Sequence, residues 1–217
     1  MKHLQLQCKP LDDLLGGGIE SNTITEIYGE GGSGKTNFCL QAAREGASLG
    51  KKVAFIDSEG VSVERLSQIC EGYNFKQILS KILFYNPFSF EEQEKMINNA
   101  VEIKDVGLIV VDTFNLFYRI MLEYDKEGAI RSLNRQVTNL QVAAREKDIY
   151  VVVAGKVYST ENDDVKPFSW KGVDRMAKTI LKLEKTGAGK RTATIIKHRS
   201  QTIGRKAYFT ITSKGLE

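Results

Sequence analysis

The chain has 217 residues, enough to bury one full α/β core, and a mildly basic formal net charge of +4. Hydrophobic residues make up 41% and charged residues 27%, an ordinary globular composition, and no apolar run is long enough to span a bilayer as a helix. The first residues alternate polar and apolar with no signal core, so a cytoplasmic protein without a membrane partner is expected.

Strand-like and helix-like stretches alternate along most of the chain. This pattern predicts a mostly parallel sheet flanked by helices. Thr23 to Tyr28 reads as the first core strand, and Lys35 to Leu49 as a helix stopped by Gly50. A second strand spans Val53 to Ile56 and ends at Asp57. Ser62 is placed to cap a helix over Val63 to Glu71. Ile82 to Tyr85 is a short strand, and Phe90 to Lys104 is an amphipathic helix. Leu108 to Val111 is a continuous apolar run ending at Asp112, as a strand buried on both faces should be. A long helix is predicted over Ile130 to Lys147, then a strand over Tyr150 to Ala154. Gly155 to Trp170 is polar, contains Pro167 and reads as a loop. Three β-rich runs close the chain at Thr179 to Leu183, Thr192 to Ile196 and Ala207 to Thr212. The Gly187-Ala188-Gly189 turn predicts a hairpin between the first two, so the C-terminal strands are expected to be antiparallel. Cys8, Cys39 and Cys70 are far apart and form no C-x-x-C pair, which speaks against a cysteine metal site.

The strongest chemical signal is Gly29-Glu30-Gly31-Gly32-Ser33-Gly34-Lys35-Thr36, a complete P-loop between a predicted strand and a predicted helix. Its glycines let backbone amides turn toward phosphate oxygens, and the helix that follows adds its positive end. Lys35 is the expected partner of the β- and γ-phosphates. Thr36, just before Asn37, offers a hydroxyl to Mg²⁺. Asp112 closes an apolar strand at the sheet edge where ligands gather, so it is the candidate second Mg²⁺ ligand. Glu59, in Asp57-Ser58-Glu59-Gly60, follows a strand at that same edge. It is the candidate base for the water that attacks the γ-phosphate, with a plain turn carboxylate as the alternative. ATP and Mg²⁺ are therefore the expected ligands.

The basic residues crowd into the C-terminal third, from Lys171 through Lys214, and offer either a basic face toward nucleic acid or a merely solvated one. In the loop to Trp170, Lys156 and Lys166 lie among Tyr158, Phe168 and Trp170, a pattern suited either to stacking on single strands or to Phe168 and Trp170 packing the loop onto the core. Glu161, Asp163 and Asp164 oppose tight binding. A second candidate DNA loop runs from Tyr118 to Gly128, with Arg119 and Lys126 among Glu123, Asp125 and Glu127. DNA affinity is expected to be modest, salt-sensitive and not sequence-specific.

The runs Leu11 to Glu20, Ile24 to Gly29, Asp57 to Gly60, Glu64-Arg65-Leu66, Leu133-Asn134-Arg135 and Lys197-His198-Arg199-Ser200 resemble the ATPase core of archaeal RadA and its relatives. The resemblance covers essentially the whole chain and places it with the short RadA-like proteins made of the core alone. It implies a single RecA-like ATPase domain, residues 1–217, without the N-terminal helical DNA-binding domain of full-length recombinases. It also implies Glu59 as catalytic glutamate, Arg65 as the arginine that packs on adenine, and Asp112 as metal-site aspartate. Lys197 and Arg199 resemble the basic pair that reaches a neighbouring subunit's phosphates. They lie two apart near a strand end, so they are expected on one side of it. Gly155-Lys156-Val157 departs from the family's Asn-Gln-Val, in which the glutamine senses the γ-phosphate.

The expected function is an accessory protein of homologous recombination and DNA repair that binds ATP and DNA, hydrolyses ATP slowly, and modulates a RadA-type recombinase or a Holliday-junction nuclease. A complete strand-exchange recombinase and a non-DNA RecA-fold signalling ATPase are the alternatives. The expected assembly is a weak homodimer rather than a stable filament.

Overall fold

Leu108-Ile109-Val110-Val111 and Val151-Val152-Val153-Ala154 are apolar at every position, and the structure explains why. Leu108, Val110, Val152 and Ala154 face one hydrophobic cluster, while Ile109, Val111, Val151 and Val153 face another. A strand turns successive side chains to opposite faces, so both faces of these strands must be covered. The computed structural model describes residues 2–157 and 171–217.

A two-stranded ribbon, β1 (His3–Leu4) and β2 (Ile19–Glu20), encloses α1 (Lys9–Leu14). The core then follows as β3 (Thr23–Gly29), α2 (Lys35–Ser48), β4 (Lys52–Asp57), α3 (Val63–Ile69), α4 (Phe75–Leu79), β5 (Ile82–Tyr85), α5 (Phe90–Glu102), β6 (Val106–Asp112), α6 (Leu116–Tyr124), α7 (Lys126–Glu146) and β7 (Tyr150–Lys156). The C-terminal part is α8 (Lys171–Met176), β8 (Thr179–Lys185), β9 (Lys190–Lys197), β10 (Lys206–Thr212) and β11 (Gly215–Leu216). The large sheet has the order β11-β10-β9-β8-β3-β7-β6-β4-β5. Strands from β8 to β5 are parallel, and β9, β10 and β11 are added antiparallel. This is the expected RecA-like α/β architecture. Among the described residues no helix is long and apolar enough to cross a membrane.

Capping fixes where helices begin. Ser62 Oγ accepts from Arg65 N–H, and Ser89 Oγ accepts from Glu92 N–H while Glu92 reaches back to Phe88 N–H at 2.7 Å. The first helix of the core is different. The residue before α2 is Gly34, at φ 104°, and it offers no side-chain cap. The first-turn amides of α2 are thus left for an anion.

Two expectations are corrected here. Residues 118–128 are not a loop, because α6 and the start of α7 occupy them. Tyr118 packs its ring 5.9 Å from that of Phe90 in the core, and Asp125 caps α7 by accepting from Gly128 N–H. Phe117, Tyr118, Met121 and Leu122 give α6 the apolar spacing of a helix, while Arg119 and Glu123, with the charges from Asp125 to Glu127 beyond them, read as a polar loop. Likewise Gly155 and Lys156 do not open a loop. They extend β7 and pair with Tyr28 and Gly29. The remaining loop residues, including Tyr158, Lys166, Phe168 and Trp170, lie outside the described residues.

Candidate nucleotide-binding site

Gly29 ends β3 where no side chain fits: a Cβ there would meet the Leu183 carbonyl oxygen at 2.2 Å. Gly32 and Gly34 have φ of 74° and 104°, so the turn needs glycine at both. Between them Ser33 is buried, and its hydroxyl has no hydrogen-bond partner among the described residues. Lys35 is also buried, and its ammonium donates to the carbonyls of Gly29 and Glu30, both at 2.9 Å. Burial lowers the Lys35 ammonium below its ordinary value, against the charges of Asp112 and Glu59. Gly31 faces open space. Main-chain donors, a free hydroxyl and a buried cation around a glycine turn form an anion cradle.

Carboxylates reach this cradle from the neighbouring strands. Asp112, at the end of β6, is 3% exposed. Burial pushes its carboxyl up to about 6, partly offset by the Thr36 hydroxyl that hydrogen-bonds to it. A serine- or threonine-type hydroxyl beside one carboxylate is a hard-oxygen donor set, suited to a Mg²⁺ ion whose other ligands are phosphate and water. Among the described residues no cluster of three or more His, Cys, Asp or Glu could hold a metal alone.

Glu59 owes its place to Asp57. The buried Asp57 carboxylate accepts from the N–H groups of Glu59, Gly60 and Val61 at 3.1, 2.9 and 2.5 Å. Ser58 ties this turn to the end of β6, through its N–H to Asp112 O and its hydroxyl to Thr113 O, each at 2.8 Å. Glu59 then meets Lys156, whose Nζ lies 2.8 Å from its Oε2. Burial pushes the Glu59 carboxyl up. Hydrogen bonds from Lys156 and Thr113, with the charges of Lys156 and Lys35, outweigh this and hold it below its ordinary value. Gly31, Gly32, Gly34, Lys35, Thr36, Asn37, Glu59, Thr113 and Lys156 line one cleft of about 180 Å³. Lys156, placed by the sequence both among the candidate DNA contacts and at the family's sensor-glutamine position, lines this cleft.

Two further cations flank the loop from the β8–β9 hairpin. Arg191 Nε donates to Gly32 O at 3.0 Å, and Lys185 packs over Gly32. Their sequence signal was the hairpin turn, which brings the residues on either side of it, Lys185 and Arg191, to the end of β3. Arg65 is held at the cleft edge. Its guanidinium bonds Asn37 Oδ1 at 2.7 Å, Thr212 O at 2.8 Å and Ser213 O at 3.0 Å.

Lys197 and Arg199 are elsewhere. Lys197 pairs with Ile180 near the start of β8, whereas the P-loop follows the end of β3 opposite Leu183. The pair therefore lies at the end of the sheet away from this chain's own cleft. The basic C-terminal third is split the same way, with Lys185, Lys190 and Arg191 near the cleft and Lys197, Arg199 and Arg205 at the far end.

A parallel sheet with a P-loop on β3, metal-type oxygens on the adjoining helix and β6, and antiparallel strands beyond β8 defines a RecA-like P-loop protein. The chain belongs to the Rad51 family, whose model matches residues 2–217, and within it to the RadB group. It is 44% identical over 221 residues to the DNA repair and recombination protein RadB of Methanococcoides burtonii, across 99% of this chain and 97% of that protein. The RadB of Thermoplasma acidophilum is 37% identical across 100% of this chain and 94% of its own length. A crystal structure of the RadB recombinase superposes with a TM-score of 0.87 at 36% identity, covering 99% of this chain and 98% of that one.

Proposed function

We propose that the chain is an ATP- and DNA-binding accessory protein of homologous recombination and DNA repair, which hydrolyses ATP weakly and modulates a RadA-type recombinase or a Holliday-junction nuclease. The observation that carries the nucleotide reading is the convergence of Lys35, Thr36 and Glu59 on one cleft, with Asp112 buried behind Thr36 and the Ser33 hydroxyl unpartnered among the described residues. The names of its RadB relatives support the recombination reading.

In this reading the loop amides from Gly29 to Gly34 and Lys35 hold the phosphates, and Asn37 and Arg65 border the adenine. Thr36 and Asp112 would hold Mg²⁺, which supplies charge neutralisation at the phosphates. Glu59 takes the proton of a water whose oxygen bonds to the γ-phosphorus as the bond to the ADP oxygen breaks. Weak turnover follows from the Lys156 contact, because a carboxylate held ionised by an ammonium is a poor proton acceptor. DNA contacts fall to the exposed cations of the β8–β9 hairpin and to the far basic end. Lys197 and Arg199, being remote from their own cleft, reach phosphates only in a weak, head-to-tail homodimer.

Turnover measured with and without single-stranded DNA, beside a strand-exchange assay and DNA binding across a salt series, tests this. The expected outcome is slow turnover, DNA affinity falling with salt at a slope of roughly −0.7 per contacted phosphate, and no strand exchange. Strong DNA stimulation with strand exchange would identify a complete recombinase, and absence of DNA binding a different class of ATPase. Pull-down with the host RadA-type recombinase tests the partner.

A further inference from the structure

We infer that Arg191 is a positioning residue for the phosphate loop: it holds the Gly32 carbonyl outward and so keeps the Ser33 N–H turned into the cradle that takes the β-phosphate. The inference rests on the nucleotide reading of the cleft.

One row of side chains from the antiparallel strands backs this loop. Lys185 of β8, Arg191 of β9 and Phe209 of β10 lie opposite one another in register, so their side chains share a face of the sheet. All three reach the loop. Arg191 donates to Gly32 O, Lys185 lies over Gly32, and Phe209, with Ile211 two residues on, closes over Gly34. The two cations act differently. Lys185 is exposed and makes no hydrogen bond to the loop among the described residues. Arg191 is partly buried, and its main chain is paired on both sides. Its guanidinium bonds three main-chain carbonyls, Lys190 O at 2.8 Å, Gly32 O at 3.0 Å and Gly187 O at 3.3 Å. One planar fork thus staples the hairpin turn to the loop.

The loop needs such a hold. Gly31 and Gly32 are consecutive glycines, Gly31 faces open space, and Gly32 has a φ of 74°. The freedom that lets the loop turn also lets its peptides flip. The peptide joining Gly32 to Ser33 is planar, so its carbonyl and its N–H point opposite ways. With the carbonyl bonded outward to Arg191, the N–H faces inward and donates to Glu30 O at 3.2 Å. Lys35 donates to that same oxygen at 2.9 Å. Two donors therefore converge on one carbonyl oxygen, a place that a phosphate oxygen would take over. A flipped peptide would present the Gly32 carbonyl to the phosphate instead and repel it. Arg191 also polarises the peptide it holds, because a charged donor on the carbonyl strengthens the N–H at the other end.

Titration of the full chain with a fluorescent non-hydrolysable ATP analogue and with fluorescent ADP, both with Mg²⁺, separates positioning from charge. Arg191→Met is expected to weaken both nucleotides about tenfold, since both carry a β-phosphate, and to keep most of that loss at about 0.5 M salt. Lys185→Met removes an equal charge beside Gly32 without removing a hydrogen bond to the loop. It is expected to weaken both nucleotides by less than about threefold, and salt should erase the difference. Hydrogen exchange in the nucleotide-free chain gives a second reading. The Ser33 amide should exchange about tenfold faster in Arg191→Met and at the wild-type rate in Lys185→Met, with the urea midpoint of both variants unchanged. Equal losses that salt abolishes, an unchanged Ser33 amide, or a loss of affinity matched by a fall in the urea midpoint would overturn the inference while leaving the nucleotide site intact. Failure of the wild-type chain to bind either nucleotide would remove the site reading itself, and the inference with it.

Discussion

Arg199 Nε lies 2.9 Å from Oε2 of Glu20, whose side chain is only 6% exposed. The pair fastens β2 to the turn after β9 at the sheet end farthest from the P-loop. The Arg199 side chain is about one-third exposed and that of Glu20 is buried, so losing the arginine strands a buried carboxylate. Arg199→Ala should therefore lower stability by roughly 1–3 kcal/mol, and Glu20→Gln in the same chain should recover most of that. Urea unfolding of the two single variants and the double variant checks it. An Arg199→Ala chain as stable as wild type would show that the contact is inconsequential. The double variant then isolates any action on a neighbour: light scattering and turnover across a concentration series should show its self-association weakened at unchanged fold.

Glu59→Gln should retain ATP binding and lose turnover. The amide keeps the shape and cannot take the proton, so the rate should fall by roughly 10²–10⁴-fold. Single-turnover hydrolysis with saturating Mg²⁺ measures this. Wild-type turnover in the variant would return Glu59 to a simple turn carboxylate.

Asp112 links stability to pH in the nucleotide-free chain. Burial raises its carboxyl from the ordinary 3.8 to about 6, so the folded state binds a proton more tightly than the unfolded state does. The stability this confers is complete below about 4 and is lost as pH rises through about 6. Asp112→Asn stays neutral throughout. Relative to wild type it should gain roughly 1–3 kcal/mol between pH 4 and 7, while losing the Mg²⁺-dependent part of nucleotide affinity. A stability difference that is flat with pH would contradict the burial argument.

Much of this was legible in the sequence because single local rules sufficed. The apolar run from Leu108 to Val111 marked a doubly buried strand, and the P-loop spacing marked the phosphate turn. The hairpin about Gly187 to Gly189 marked the antiparallel end of the sheet. What stayed hidden depended on contacts distant in the chain. Nothing local in Gly155-Lys156-Val157 shows that Lys156 meets Glu59, 97 positions earlier, or that Asn115 fixes its main chain. The Glu20–Arg199 pair is hidden for the same reason. The helix at Leu116–Tyr124 is hidden differently: its apolar spacing is present in the sequence, but the charges along the segment give it the look of a polar loop.

The central claim is that this cleft binds ATP through the P-loop, and titration of the Lys35→Ala chain with a fluorescent ATP analogue and Mg²⁺ tests it most directly. Lys35 brings the only side-chain ammonium of the loop, held by the carbonyls of Gly29 and Glu30 at the point where phosphate oxygens would replace them. Loss of charge-assisted contacts of this kind should weaken binding about 100-fold or more, with the fold intact by circular dichroism. An affinity equal to wild type would contradict the account.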